Sequence, residues 1–261
     1  MIPLFQTTLS KLWIATCGLM LISHAAQANI LIQSDFTAQS RIENRSDWTN
    51  AGYLLYGSRV PIIVDNLLIF ESSRSGPDGR VHLLKTTTEV DALNFMVHDL
   101  EITLDGVSFH SEPTTPSTGH RLWTGIGWAP EDYQLTPIST SSRGIYLVLE
   151  TARFSDGGLR RRVLVQVRGD TQSTSEFTID PNYSFLPPTC TLRINKTGWI
   201  LEINGAKLAD GSTRKTGSHQ IKPQQDKTRF TYGIGVYNDR NAAEPAKFSL
   251  SNITVRQNPA R

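Results

Sequence analysis

The chain has 261 residues, with 26 basic and 24 acidic side chains and a formal net charge of +2 at neutral pH. That balance excludes a field able to recruit nucleic acid or an anionic membrane. Its two cysteines, Cys17 and Cys190, exclude a disulfide framework, because Cys17 lies in a leader segment and Cys190 is then alone.

The leader comes first in chain order. Lys11 precedes an apolar run from Leu12 to Ile22, and Ala26-Gln27-Ala28 has the small-x-small form cut by signal peptidases. Residues 1–28 are therefore expected to be a cleaved signal peptide, with residues 29–261 forming a single domain that is secreted or periplasmic. The run is about half of the ~20 apolar residues that a bilayer span requires. No later stretch is long or apolar enough, so no transmembrane segment is expected in the mature chain. Without Lys11 the count is 25 basic against 24 acidic, a net +1.

Short alternating runs follow, with no heptad and no fixed repeat. They include Gly52 to Tyr56, Ile62 to Phe70, Val81 to Lys85, Val90 to Val97, Leu100 to Phe109 and Leu122 to Trp128. Further along come Gly144 to Thr151, Arg161 to Gly169, Thr191 to Asn195, Trp199 to Asn204, Phe230 to Tyr237 and Phe248 to Val255. Gly, Asp, Asn, Pro and Ser punctuate them, as strand and turn spacing requires. Ser155-Asp156-Gly157-Gly158 predicts an antiparallel hairpin between Ile145 to Glu150 and Val163 to Arg168. Asn204-Gly205 predicts a type I′ hairpin turn leading directly into Ala206-Lys207-Leu208, since that pair accepts positive φ at both centres. The segments Ser111 to His120 and Asp210 to Lys227 read as long polar loops. About a dozen such strands predict an all-β fold, a two-sheet antiparallel sandwich.

Gly198-Trp199-Ile200-Leu201-Glu202-Ile203-Asn204-Gly205, then Gly233-Ile234-Gly235-Val236-Tyr237, then Phe248-Ser249-Leu250-Ser251-Asn252-Ile253-Thr254-Val255 stand in an order that resembles the concanavalin A-like lectin and glucanase superfamily, including laminin-G-like jelly rolls. The resemblance implies a jelly-roll sandwich. It also implies carbohydrate as the class of partner, through lectin-like binding, polysaccharide lysis or glycoside hydrolysis. These motifs are turn and packing signals, so function is argued from the site.

Glu89-Val90-Asp91-Ala92-Leu93-Asn94 resembles the E-x-D-x-x-E strand of the glucanase branch, where two carboxylates flank the glycosidic bond. Asn94 stands at the acid/base position and cannot protonate a leaving oxygen. Gln166-Val167-Arg168-Gly169 and Thr231-Tyr232-Gly233-Ile234-Gly235-Val236-Tyr237-Asn238-Asp239 resemble the Q-I-H and Y-F-K-A-G-x-Y-N-Q strands of alginate-lyase-type jelly rolls. By that resemblance Gln166 neutralises a sugar carboxylate and Tyr237 donates to the leaving oxygen. Arg168 replaces the histidine, and a guanidinium is a poor base but a good carboxylate clamp.

Pairing of the strands around Ser155-Gly158 would place Tyr146 and Glu150 beside Gln166 and Arg168 on one sheet face. That face is either a groove floor or a solvated surface carrying a Glu150–Arg168 ion pair. Gly233 and Gly235 share parity with Tyr237 and leave room for a ligand. Trp123 and Trp128 are five residues apart and turn to opposite faces; one is expected in the core and the other as a sugar platform, for which Trp128 is the candidate. Trp48 is expected to pack an early strand. His98, His110, His120 and His219 show no zinc spacing. The laminin-G resemblance admits a structural calcium, with Asp65, Asp99 and Asp239 as candidate ligands. No other cofactor is expected. The sequence points to a carbohydrate-binding jelly roll with acidic polysaccharide as a candidate ligand, and with Tyr146, Glu150, Gln166, Arg168, Tyr237 and Trp128 as ligand-binding residues. A polysaccharide lyase, a divergent glycoside hydrolase and a protein-binding surface module are the alternatives.

Overall fold

Alternating strands leave half of their side chains apolar, and burying that half requires a second layer. A computed structural model describes residues 29–34, 36, 48–50, 61–72, 84–86, 90–128, 142–222, 230–239 and 242–258. One sheet has six strands in the order β1 (Asn29–Ser34), β17 (Asn252–Asn258), β6 (Asp99–Asp105), β12 (Thr189–Ile194), β13 (Gly198–Asn204) and β14 (Arg214–Ser218). A second has seven: β11 (Ser173–Thr178), β10 (Leu159–Arg168), β9 (Arg143–Arg153), β8 (Thr118–Trp128), β15 (Thr231–Asn238), β5 (Leu84–Thr86) and β2 (Trp48–Asn50). A smaller sheet of four joins β3 (Ile62–Val64), β4 (Leu67–Glu71), β16 (Lys247–Leu250) and β7 (Ser108–Phe109). Every pairing is antiparallel, as the jelly-roll sandwich requires.

The main core lies between the two large sheets. Leu100, Ile102, Leu104, Leu192 and Val255 come from the six-stranded sheet, and Leu122, Ile126, Ile145, Leu147 and Val163 from the seven-stranded one; all are buried in one cluster. Each such side chain contributes about 1.5–3 kcal/mol of burial. Two long-range pairings close the fold, since β15 lies beside β8 and β17 beside β6.

Several local expectations need correction. The run Ile62 to Phe70 is not one strand but the β3/β4 hairpin, turned at Asp65 and Asn66 with φ of 51° and 62°. Asn and Asp tolerate this left-handed region, and two in succession make the primed turn. Val90–Leu93 forms a 3₁₀ turn instead of a strand. Asn94 stabilises its exit, its side-chain oxygen accepting the Met96 N–H and its carbonyl the Val97 and His98 N–H groups. Gly205 has the expected positive φ of 80°, but β13 pairs with β14 across a longer loop, and Leu208 bridges to Ile179 instead. The segment expected as a polar loop from Asp210 thus contains a strand, and Thr118 to His120 belong to β8. β11, Ser-Thr-Ser-Glu-Phe-Thr, carries no apolar run and pairs along β10. The β9/β10 hairpin is as read, with Gly157 at φ 78°.

The leader 1–28, the Gly52 to Tyr56 run and Glu89 lie outside the described residues, as do the Trp48 and Asp91 side chains. Among the described residues, no helix is long and apolar enough to cross a membrane.

Candidate functional site

The site occupies the face of the seven-stranded sheet that points away from the six-stranded one. Register places its side chains in four cross-strand rows. The first runs Tyr237, Arg121, Glu150, Arg162, Thr178; the second Gly235, Trp123, Val148, Leu164, Glu176. The third runs Gly233, Gly125, Tyr146, Gln166, Thr174, and the fourth Thr231, Gly127, Gly144, Arg168. Side chains two apart on a strand share a face, so these rows follow from strand parity once the register is set.

The first row is an ion cluster. Glu150 is fully buried and carries one guanidinium on each oxygen: Arg121 Nε donates to Oε1 at 2.5 Å and Arg162 Nε to Oε2. Arg121 also holds Asp239 at 2.5 Å, and Arg162 holds Glu176 at 2.5 Å. The Arg121 guanidinium lies 5.2 Å from the Tyr237 ring centroid. Burial opposes the Arg121 charge, yet Glu150 and Asp239 outweigh it and its pKa rises. Gly119 makes room for the cluster, because a Cβ there would lie 2.9 Å from Glu150 Oε1. Both carboxylate oxygens being occupied, Glu150 is poorly placed as a proton donor or nucleophile.

Behind this row Trp123, Tyr146, Val148, Leu164 and Tyr237 form a second apolar cluster, separate from the main core. The G-I-G stretches of β8 and β15 lie opposite each other, with Gly125 facing Gly233. At Gly125 the space that glycine leaves is filled by the chain's own ring. Tyr146 packs on Gly125, where a Cβ would come within 2.5 Å of the Tyr146 ring, and Trp123 meets Tyr146 edge-on at 5.9 Å. Burial raises the pKa of Tyr146 and pushes the Tyr237 phenol up to about 12.

The far end of the face differs. Arg168 donates through Nη1 to the neutral Gln172 Oε1, and no carboxylate pairs with it among the described residues. Its Nε–H is buried without a hydrogen-bond partner, as are Gln166 Oε1 and the indole N–H of the fully buried Trp123. Arg168 stands six positions beyond Arg162 on β10, about 20 Å of strand. Its charge still acts on both Tyr146 and Tyr237.

The structure thus brings five of the six predicted residues, Tyr146, Glu150, Gln166, Arg168 and Tyr237, onto one face. Three of them, Tyr146, Glu150 and Tyr237, are buried supports and not an open groove floor. Glu150 pairs with Arg121 and Arg162, not with Arg168. Trp128 is a correction: it faces the main core, 1 % exposed, with its ring 5.1 Å from Phe230 and 6.3 Å from Phe95. The odd spacing separates the two tryptophans as expected, but it is Trp123 that joins the polar face. Arg121, Arg162 and Glu176 join the face beside the expected residues, and Trp123 joins it in place of Trp128. Arg121 and Arg162 share parity with Trp123 and Gln166, the signal that could have found them.

The 3₁₀ turn at Val90–Leu93 removes the strand on which the glucanase-like motif depended. Of the calcium candidates, Asp239 is engaged by Arg121 and Asp65 occupies a turn; among the described residues no group of three or more His, Cys, Asp or Glu is gathered to hold a metal. The histidines act as struts. His110 Nε2 contacts Ser249 Oγ at 2.7 Å, His120 Nδ1 contacts Ser111 Oγ at 3.2 Å and His219 Nε2 contacts the Asn195 carbonyl at 2.7 Å.

No protein-family model and no curated protein sequence matches the chain. Solved structures do. The CBM2 module of the evolved Dit of Lactobacillus casei BL23 phage J-1 superposes with a TM-score of 0.56 at 8 % identity, covering 90 % of this chain and 98 % of its own. A chain from the endo-acting O-glycanases that human gut microbiota express to initiate mucin breakdown gives 0.52 at 12 % identity over 87 % and 98 %. A protein of unknown function from Shewanella oneidensis MR-1 gives 0.52 at 12 % identity over the whole of both chains. At such identities these likenesses define the fold, a two-sheet antiparallel β-sandwich, and leave function to the site.

Proposed function

We propose that the protein is an exported carbohydrate-binding protein that takes an acidic polysaccharide along the polar face of the seven-stranded sheet. One observation carries the reading: among the described residues the half-buried Arg168 guanidinium holds no carboxylate, on a face where Arg121 and Arg162 each hold two. A guanidinium edge of that kind suits a sugar carboxylate or sulfate, which accepts short charge-assisted hydrogen bonds. Gln166, half-buried two positions before Arg168 on the same strand face, offers its side-chain amide to a sugar hydroxyl. Sugars carry the two kinds of group on one ring. Tyr237 and Arg121 border the other end, and Glu150 holds Arg121 in place. The fold's neighbours include a CBM2 module and a chain from mucin-acting O-glycanases, which is consistent with carbohydrate as the partner class.

Binding is favoured over lyase chemistry because the described residues of the face offer no free base. Position 168 is arginine, Glu150 is saturated, and the Tyr237 phenol is pushed up to about 12 by burial. A glycan array probed with the purified protein, with and without calcium, tests the proposal. Uronate-bearing glycans are expected to dominate; signal confined to neutral glycans, or none, would overturn it. Accumulation of an unsaturated uronate product in the ultraviolet would favour the lyase instead.

A further inference from the structure

The turn between β10 and β11, which runs from Gly169 to Gln172, contains the carboxylate nearest in the chain to Arg168, namely Asp170. That carboxylate is not spent on Arg168. Arg143, at the start of β9, takes Asp170 at 2.6 Å. Among the described residues Arg168 is left with the neutral oxygen of Gln172 on its outer nitrogen and nothing on its buried Nε. Elsewhere on the face the opposite choice is made, for Arg121 and Arg162 each hold two carboxylates. An arginine already bonded to a carboxylate has little left to give an incoming anion, whereas one held by an amide is fixed in direction with its charge unspent.

We infer that Gln172 and Arg143 are positioning residues that set the charge preference of the binding face: Gln172 tethers Arg168 without neutralising it, and Arg143 keeps Asp170 away from it. The inference rests on the proposed binding of acidic glycans and assigns the discrimination to the β10/β11 turn. Gln172 is exposed, so its role is not one of core packing.

The test compares the charged polymers alginate and polygalacturonate with their esterified, uncharged counterparts, using titration calorimetry on the full protein at low ionic strength. The readout is the ratio of affinities for charged over uncharged polymer. The intact protein is expected to favour the charged form by roughly tenfold to a hundredfold, the range set by one charged hydrogen-bonding pair. Gln172→Glu places a carboxylate on Arg168 directly, and Arg143→Gln releases Asp170 toward it; both are expected to bring the ratio close to one. Loss of a merely structural contact would weaken both polymers alike and leave the ratio unchanged, and that result overturns the inference. So does an intact protein that binds charged and uncharged forms equally. An intact protein that binds none of the four overturns the acidic-glycan reading itself, and the inference with it. Thermal melting of each variant separates a folding defect from a change in preference. Should Arg143→Gln not fold, Gln172→Glu at an exposed position still decides the question.

Discussion

Two ends of one sheet face use arginine in opposite ways. Around Glu150, a buried carboxylate consumes the Nε–H of both Arg121 and Arg162, and outer carboxylates take what remains. Around Arg168, the only acceptor among the described residues is an amide, and the inner edge of the guanidinium has no partner among them. The first arrangement is self-sufficient: it holds β8, β9 and β10 together and offers a ligand little. The second is incomplete in a way that an anion would complete. Residue type alone does not separate a structural arginine from a binding one; the partner does.

The contrast can be broken most forcefully at its closed end. Glu150→Gln leaves two guanidiniums around an uncharged amide in a buried position, and breaking such a pair costs about 3–5 kcal/mol. The lower part of that range is expected, because both arginines retain 18 % exposure. Urea unfolding measures it, and a loss below about 1 kcal/mol, the range of a surface pair, would mean that the cluster is not a structural unit.

The aromatic layer between the two ends is the next target. In Gly125→Ala the added Cβ meets Tyr146 Cδ1 at 2.5 Å and the Ile145 carbonyl at 2.6 Å. Overpacking of this kind costs roughly 1–3 kcal/mol, and the thermal midpoint should fall accordingly. A neutral substitution would show that Tyr146 can leave the Gly125 surface at no cost.

The open end should respond in binding and not in folding. Arg168→Ala is expected to weaken uronate binding by about 1.5–3 kcal/mol while changing stability by less than about 0.5 kcal/mol. Calorimetry and melting on the same variant sharpen the comparison, since Glu150→Gln should show the reverse balance.

The smallest effect concerns pH. Burial lowers the pKa of His110, His120 and His219 from 6.5. As pH falls below about 6.5 the unfolded chain takes up protons before the folded one, so the stability these neutral histidines support is present above that pH and is lost through the lower folded values. Melting temperatures at pH 7.5, 6.5 and 5.5 should decline in that order, and His120→Gln should flatten the decline.

Much of this molecule could be read from its residues one strand at a time. Alternation in Ile145 to Glu150 and in Arg162 to Arg168 was enough to place Tyr146, Glu150, Gln166 and Arg168 on one face, because parity is a property of the extended chain itself. The opposite directions of Trp123 and Trp128 followed in the same way. Which of the two faces the core could not follow, since parity has no sign until a second sheet packs on one side. Trp128 was assigned to the wrong side for that reason. Strand β11 was missed because its partners, not its composition, make it a strand. Val90–Leu93 was misread because an apolar run of that length is compatible with either period.

By itself, then, the sequence determined the all-β class, the punctuation of its turns and the parity of each strand, all of which depend on neighbouring residues along the chain. Only the tertiary structure decided that Glu150 belongs to Arg121 and Arg162, that Tyr146 fills the space above Gly125, and that Arg168 keeps its inner edge unpaired beside a neutral Gln172. The first two depend on the register between neighbouring strands, as in the Arg121–Glu150 pair, 29 residues apart in the chain. Register is set by the packing of whole sheets, which no local window contains.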